Sequence, residues 1–145
     1  SKMDELFNLK WDDFGANTSK LFSNHREKSD FFDVTLVSDD LQKISAHKLV
    51  LSACSPYFKH LLTSNKCRHP VIFLKDVESH HIALLLQYMY LGQIAVKREE
   101  LSTFLRSADH LKIRGLAMTS PTSALPRYVF SLTKIGTFIT GREFL

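Results

Sequence analysis

Cysteine is scarce in this 145-residue chain, which holds only Cys54 and Cys67. Two cysteines make no disulfide framework, and a reducing compartment is the simple reading. Cys54 stands among Leu and Ala, where a free thiol acts as a small hydrophobe and where the surroundings raise rather than lower a thiol pKa. Glycine is thin and scattered, at 15, 92, 115, 136 and 141, so no Gly-rich loop is available to cradle a phosphate. Paired metal-ligand spacing is missing too. Cys67-Arg68-His69 and His80-His81 come nearest, but adjacent histidines point different ways on a helix. No metal, no cofactor and no enzymatic activity are therefore expected. No apolar run is long enough to cross a bilayer, and no signal-peptide pattern is present. Nor is there a basic run of the kind that follows a phosphate backbone, which argues against direct nucleic-acid binding through this chain.

What is present suits one domain able to bury a real core: 44% hydrophobic and 23% charged residues, with a net charge of +4. Ser1-Lys2 ahead of Met3 reads as a cloning scar. Up to residue 117 there are 16 Lys and Arg against 14 Asp and Glu. Beyond it the composition changes. Thr119-Ser120-Pro121-Thr122-Ser123-Ala124-Leu125-Pro126 is linker-like. Residues 128–133 and 137–140 have strand-like content, but no hairpin signal of the usual length joins them. The expected division is thus a domain over 1–117 and a linker-like tail over 118–145.

Within the domain, Phe7, Leu9 and Trp11 alternate with Asn8 and Lys10, predicting a one-faced strand over 6–11. Asp12 or Asp13 is placed to cap a helix that carries Phe14, Thr18, Leu21, Phe22 and His25 at helical spacing. That narrow apolar stripe suits a neighbouring subunit or the domain's own core. Residues 33–37 predict a short strand, Ser38-Asp39-Asp40 a turn, and Lys43-Ile44-Ser45-Ala46 its returning partner. From His47 the pattern becomes helical and apolar nearly all round, as in the middle of a domain or an interface. Ser55-Pro56 then starts a new helix with Ser as N-cap and Pro at its first position. A strand at Val71-Ile72-Phe73-Leu74 follows, then a long helix capped by Ser79 and ended by Gly92. Gln93-Ile94-Ala95-Val96 predicts a short strand, and the helix after it opens with Glu99 and Glu100. Leu101, Phe104, Leu105, Ala108 and Leu111 give that helix a core face. The order implies an α+β domain with a small mixed sheet and a cluster of α-helices. Asp33 and Lys48 stand out, because a charge at the start of a buried strand or helix is costly unless paired or open to a groove.

Asp33-Val34-Thr35-Leu36, the run Ala46-His47-Lys48-Leu49-Val50-Leu51-Ser52-Ala53-Cys54-Ser55-Pro56-Tyr57-Phe58 and Tyr88-Met89-Tyr90-Leu91-Gly92 resemble the signature of a BTB/POZ domain. Phe7-x-Leu9-x-Trp11, Leu105-Arg106 and Ile113-Arg114-Gly115-Leu116 narrow the likeness to the Tramtrack group of insect transcription factors. The resemblance spans about residues 6–117. It implies a dimeric BTB/POZ fold, with Phe14, Leu21, Phe22 and Leu49 at the dimer interface. It implies higher-order assembly through Phe7, Leu9 and Trp11, and a charged pocket at Asp33 and Lys48. It further implies a multimerising domain of a nuclear transcription or chromatin regulator, partnered by itself and by other BTB-containing or chromatin proteins, with DNA bound by domains absent here. No membrane is among its partners. The alternative is a substrate adaptor of a cullin-3 ubiquitin ligase. Such adaptors carry an acid in the loop after the Ser-Pro-Tyr-Phe helix, where Leu62-Thr63-Ser64-Asn65-Lys66 has none.

Overall fold

Sheet and helices follow from where the apolar residues fall. The computed structural model describes residues 4–116 together with the backbone of residues 129–132 and 137–140. Helix α1 runs over Phe14–Glu27, strand β1 over Val34–Val37 and β2 over Lys43–Ala46. Helices α2 (Lys48–Cys54) and α3 (Pro56–Ser64) come next, followed by β3 (Val71–Phe73), α4 (Ser79–Leu91) and α5 (Arg98–His110). The three strands form a mixed sheet in the order β2-β1-β3, β2 antiparallel and β3 parallel to β1. The core lies between the inner face of that sheet, carrying Val34 and Leu36, and the helices, carrying Leu51, Phe58, Ile82, Leu86, Phe104 and Ala108.

Local chemistry accounts for the junctions. Ser55 accepts the Phe58 N–H at 3.2 Å and donates its hydroxyl to the Leu111 carbonyl at 2.6 Å, so one buried serine caps α3 and ties it to the end of α5. Gly92 closes α4 with φ +80°. Ser79 is not the cap of α4, which is preceded by Glu78. Asp40, from the β1–β2 turn, accepts the Ser79 N–H at 2.8 Å and its hydroxyl at 2.6 Å. Hydrogen bonds from the hydroxyls of Ser38 and Ser79 and from the Ser79 amide hold the Asp40 carboxyl down at about 2.

Two expected strands are absent. Residues 6–11 and 93–96 have no regular secondary structure, because an isolated extended segment has no ladder partner to satisfy its backbone. Helix α2 is buried on one side only: Val50 and Leu51 face the core, while Leu49 is exposed. Asp13 precedes α1, but its side chain makes no capping hydrogen bond. In the tail, β4 (Val129–Leu132) and β5 (Thr137–Thr140) pair antiparallel, with Val129 opposite Thr140 and Leu132 opposite Thr137. Four positions separate the two strands in the sequence, more than the two-residue spacing of the commonest hairpin signal. The linker-like run 119–126 lies outside the described residues.

Candidate functional site

Helix α1 is mounted inside out. Among its residues none is buried, and the contacts that hold it on α4 are polar. The Ser19 hydroxyl donates to the Tyr90 carbonyl at 2.8 Å, and the Arg26 guanidinium lies 5.5 Å above the Tyr90 ring. The apolar stripe therefore points away from the domain: Phe14, Leu21 and Phe22 are 58%, 48% and 39% exposed. Trp11 packs edge-on against Phe14, and Phe7 and Leu9 stand free of the core.

Between α1 and α2 a cavity of about 240 Å³ opens, walled by Phe22, His25, Phe31, Leu49 and Val50, with Asp33 and His47 supplying polar groups. Phe31 holds φ +63°, a left-handed conformation that is strained for an aromatic residue, and its ring stays 78% exposed at the rim. Leu49 is 68% exposed on the opposite wall.

Beneath the groove the polar groups are closely paired. The His47 N–H donates to the Tyr90 hydroxyl oxygen at 3.1 Å. His47 Nε2 lies 2.6 Å from the Asp30 carbonyl, and Nδ1 lies 2.6 Å from the Tyr90 hydroxyl. A carbonyl can only accept, so Nε2 carries a proton, and in the singly protonated tautomer Nδ1 is the acceptor of the Tyr90 O–H. Burial pushes the Tyr90 hydroxyl up to about 12, against the hydrogen bond from the His47 amide.

The two charges singled out in the sequence sit together but do not pair with each other. Asp33 Oδ1 accepts the backbone N–H of Lys48 at 2.7 Å, capping α2 in place of the occupied His47 side chain. The Lys48 ammonium instead donates to the Cys67 carbonyl at 3.0 Å. Elsewhere His25 Nδ1 lies 3.6 Å from Asp30 and His80 Nε2 lies 3.3 Å from Glu100. The two charges therefore do not support each other: Asp33 serves as a helix cap, and the Lys48 side chain reaches out to the Cys67 carbonyl. Asp33 lines the cavity, and Lys48 does not. Phe22 and Leu49 face one another across the groove, while Phe14 and Leu21 extend its apolar face along α1.

The sequence places His25 only in the α1 stripe and Tyr90 only in the BTB/POZ signature, and gives neither them nor Phe31 a role at this groove. Tyr90 carried a usable signal: a hydroxyl in an otherwise apolar helix needs a hydrogen-bond partner. No group of three or more His, Cys, Asp or Glu among the described residues could hold a metal. Burial raises the pKa of Cys54, partly offset by Arg114, which leaves its thiol a packing group.

The model of the BTB/POZ domain family matches residues 22–123. The chain belongs to the BTB/POZ family. Its relatives include the Drosophila melanogaster "Longitudinals lacking protein-like", 49% identical over 116 residues, which cover 80% of this chain and 91% of that protein. Protein abrupt of the same species is 48% identical over 109 residues, covering 75% of this chain but 12% of the relative. The alpha isoform of protein tramtrack is 42% identical over 112 residues, covering 77% and 14% respectively. The match is therefore with the Tramtrack group, and the longer relatives contain much more than this BTB domain. Among solved structures, the BTB domain of zebrafish PATZ1 superposes with a TM-score of 0.67 at 21% identity, covering 77% of this chain and 91% of that one. The BTB domain of human gigaxonin gives 0.67 at 26% identity, covering 78% and 92%. The small mixed sheet with its clustered helices is thus the BTB fold.

Proposed function

We propose that this BTB domain pairs with a second copy of itself across the α1–α2 face. It acts as the multimerising module of a nuclear transcription or chromatin regulator whose DNA-binding part lies elsewhere. The observation that carries this reading is the inverted helix. Phe14, Leu21 and Phe22 stand outward beside exposed Phe31 and Leu49, making a contiguous apolar face of the kind that marks a protein interface. Covering it removes apolar surface from water at roughly 25 cal/mol per Å². Asp33 and Lys48 then lie at the edge of the joint, where a charged pocket would receive partner proteins, among them other BTB-containing or chromatin proteins. Residues 6–11 and 93–96 add to the reading: both have strand composition, and neither has a strand partner among the described residues. Pairing between copies would give each a ladder and extend assembly through Phe7, Leu9 and Trp11. Multimerisation raises the effective concentration of the parent factor at clustered sites. The cullin-3 adaptor reading receives less support, since the exposed residues 63–66 hold no acid.

Size-exclusion with light scattering tests this. The chain should run at no less than twice its 16.6 kDa mass. The pair Phe22→Asp and Leu49→Asp should run as a folded monomer, because neither side chain belongs to the core of its own subunit. Deleting residues 1–11 should leave a folded dimer and remove larger assemblies. A wild-type monomer at every concentration would refute the proposal.

A further inference from the structure

On β1, Val34 and Leu36 turn inward and are 0% and 1% exposed, so Thr35 and Val37 face out. The register sets Ser45 and Lys43 beside them on one side and Val71 and Phe73 on the other. Val71 and Phe73 are 65% and 53% exposed. The Thr35 N–H donates to the Pro70 carbonyl, and the Leu74 N–H donates to the Val37 carbonyl. That alternation spends residues 70, 72 and 74 on β1 and turns the amides and carbonyls of Val71 and Phe73 to the other side. Among the described residues β3 is there an edge of the sheet, a template for an added strand.

Charge says what such a strand should carry. Between Asp40 and Asp76 the chain has Lys43, Lys48, Lys59, Lys66, Arg68 and Lys75 and not one Asp or Glu. Spread over that length they form no run, but the fold gathers several of them around β3. The Lys48 ammonium on the Cys67 carbonyl holds that side chain against the loop bearing Lys66 and Arg68. His69 Nε2 lies 2.8 Å from Thr35 Oγ1 on the outer face, and Lys43 flanks Val37. Lys66, Arg68 and His69 are exposed. The carboxylates of Asp33, Asp39 and Asp40 are fixed in place by the Lys48 amide, the Asp76 amide and Ser79 and keep their charge, so the cations of the 66–68 loop are the ones left to an added strand.

We propose that the outer sheet face and the free edge of β3 dock an extended, acidic segment of a partner protein. Its backbone would continue the sheet. Its apolar residues, two apart, would rest on Val71 and Phe73, and its carboxylates would meet Lys48, Lys66 and Arg68. A second copy of the same edge would bring the same cations against these, and a duplex would leave the strand edge and the apolar pair unused. Val71, Phe73, Lys66 and Arg68 are not among the residues lining the α1–α2 groove, and the variants below leave Lys48, which the dimer reading also uses, unchanged, so the two proposals are tested separately.

The test is fluorescence anisotropy of the intact chain with a labelled peptide of Asp alternating with Val, Ile and Phe. The controls are the same peptide with Asn for Asp and a labelled DNA duplex, with mass followed by light scattering. The acidic peptide should bind, and binding should weaken as salt rises. Phe73→Asn, or Lys66→Glu with Arg68→Glu, should each weaken it about tenfold, the loss of one interface anchor, with the assembly mass unchanged. No binding, equal binding of the Asn peptide, or variants that bind like wild type would overturn the proposal. So would preferential duplex binding lost in the Lys66/Arg68 variant, which would make the face a nucleic-acid site. A drop in assembly mass with Phe73→Asn would overturn it too, by making the occupant another copy.

Discussion

Replacing Asp33 and Lys48 separates two pictures of how α2 begins. Asp33 Oδ1 takes the first N–H of a seven-residue helix at 2.7 Å. The neighbouring His47 ring is committed to Tyr90 and Asp30 and cannot substitute. Asp33→Ala strands that donor and should cost about 1–2 kcal/mol, the range for a lost cap. Asp33→Asn keeps an oxygen acceptor and loses only the charge facing the helix dipole, about 0.3–1 kcal/mol. The Lys48 ammonium rests on a carbonyl of an exposed loop, so Lys48→Gln should stay within about 0.5 kcal/mol of wild type. Asp33→Asn with Lys48→Gln should equal the sum of the two, since neither charge depends on the other. A buried ion pair would behave differently: either single change would cost about 3–5 kcal/mol, and the double change would recover part of it. Urea denaturation at one fixed chain concentration reads all four variants, because association contributes to apparent stability. A Lys48→Gln loss of about 3 kcal/mol, partly restored in the double variant, would refute the helix-cap account.

Two further outcomes follow from the polar junctions. The Asp40 carboxyl is depressed from 3.8 to about 2, so its contribution is present above pH 3.8 and is lost as pH falls through 2. Denaturation midpoints measured across that window should fall less steeply for Asp40→Asn than for wild type, and equal slopes would count against the clamp on α4. Tyr90→Phe removes the partner of the His47 amide and ring and should cost about 1–3 kcal/mol. A loss within about 0.5 kcal/mol, the range of ordinary surface changes, would mean water replaces the hydroxyl at no cost.

The parts of the fold that could be read from the sequence are those whose causes are local. The β1–β2 hairpin, the Ser55-Pro56 restart, the Gly92 stop and the α5 core face each rest on residues within a few positions of one another, and each formed where expected. The misses share a different cause. Asp40 replaced Ser79 as the group holding the start of α4 across 39 positions, and no short window shows such a contact. The expected strands at 6–11 and 93–96 need a partner, and none is found among the described residues. Asp33 and Lys48 stood out as charges in apolar surroundings, but their spacing in the sequence says nothing of which atoms they meet. Spacing could not tell whether the α1 stripe looked inward or outward. Ser19 and Arg26, the polar residues that dock that helix on Tyr90, decide it.

Under the proposed pairing, the outward mounting of α1 has folding and association draw on separate sets of side chains. Phe14, Leu21, Phe22 and Leu49 lie outside the buried cluster, while Leu36, Phe58, Leu86 and Phe104 lie deep within it. A substitution on the outer set changes which surfaces match and leaves the subunit's own packing intact, so it carries little of the cost of a core change. Duplicated copies of such a domain can therefore drift in pairing preference, toward themselves or toward one another, without first becoming unstable.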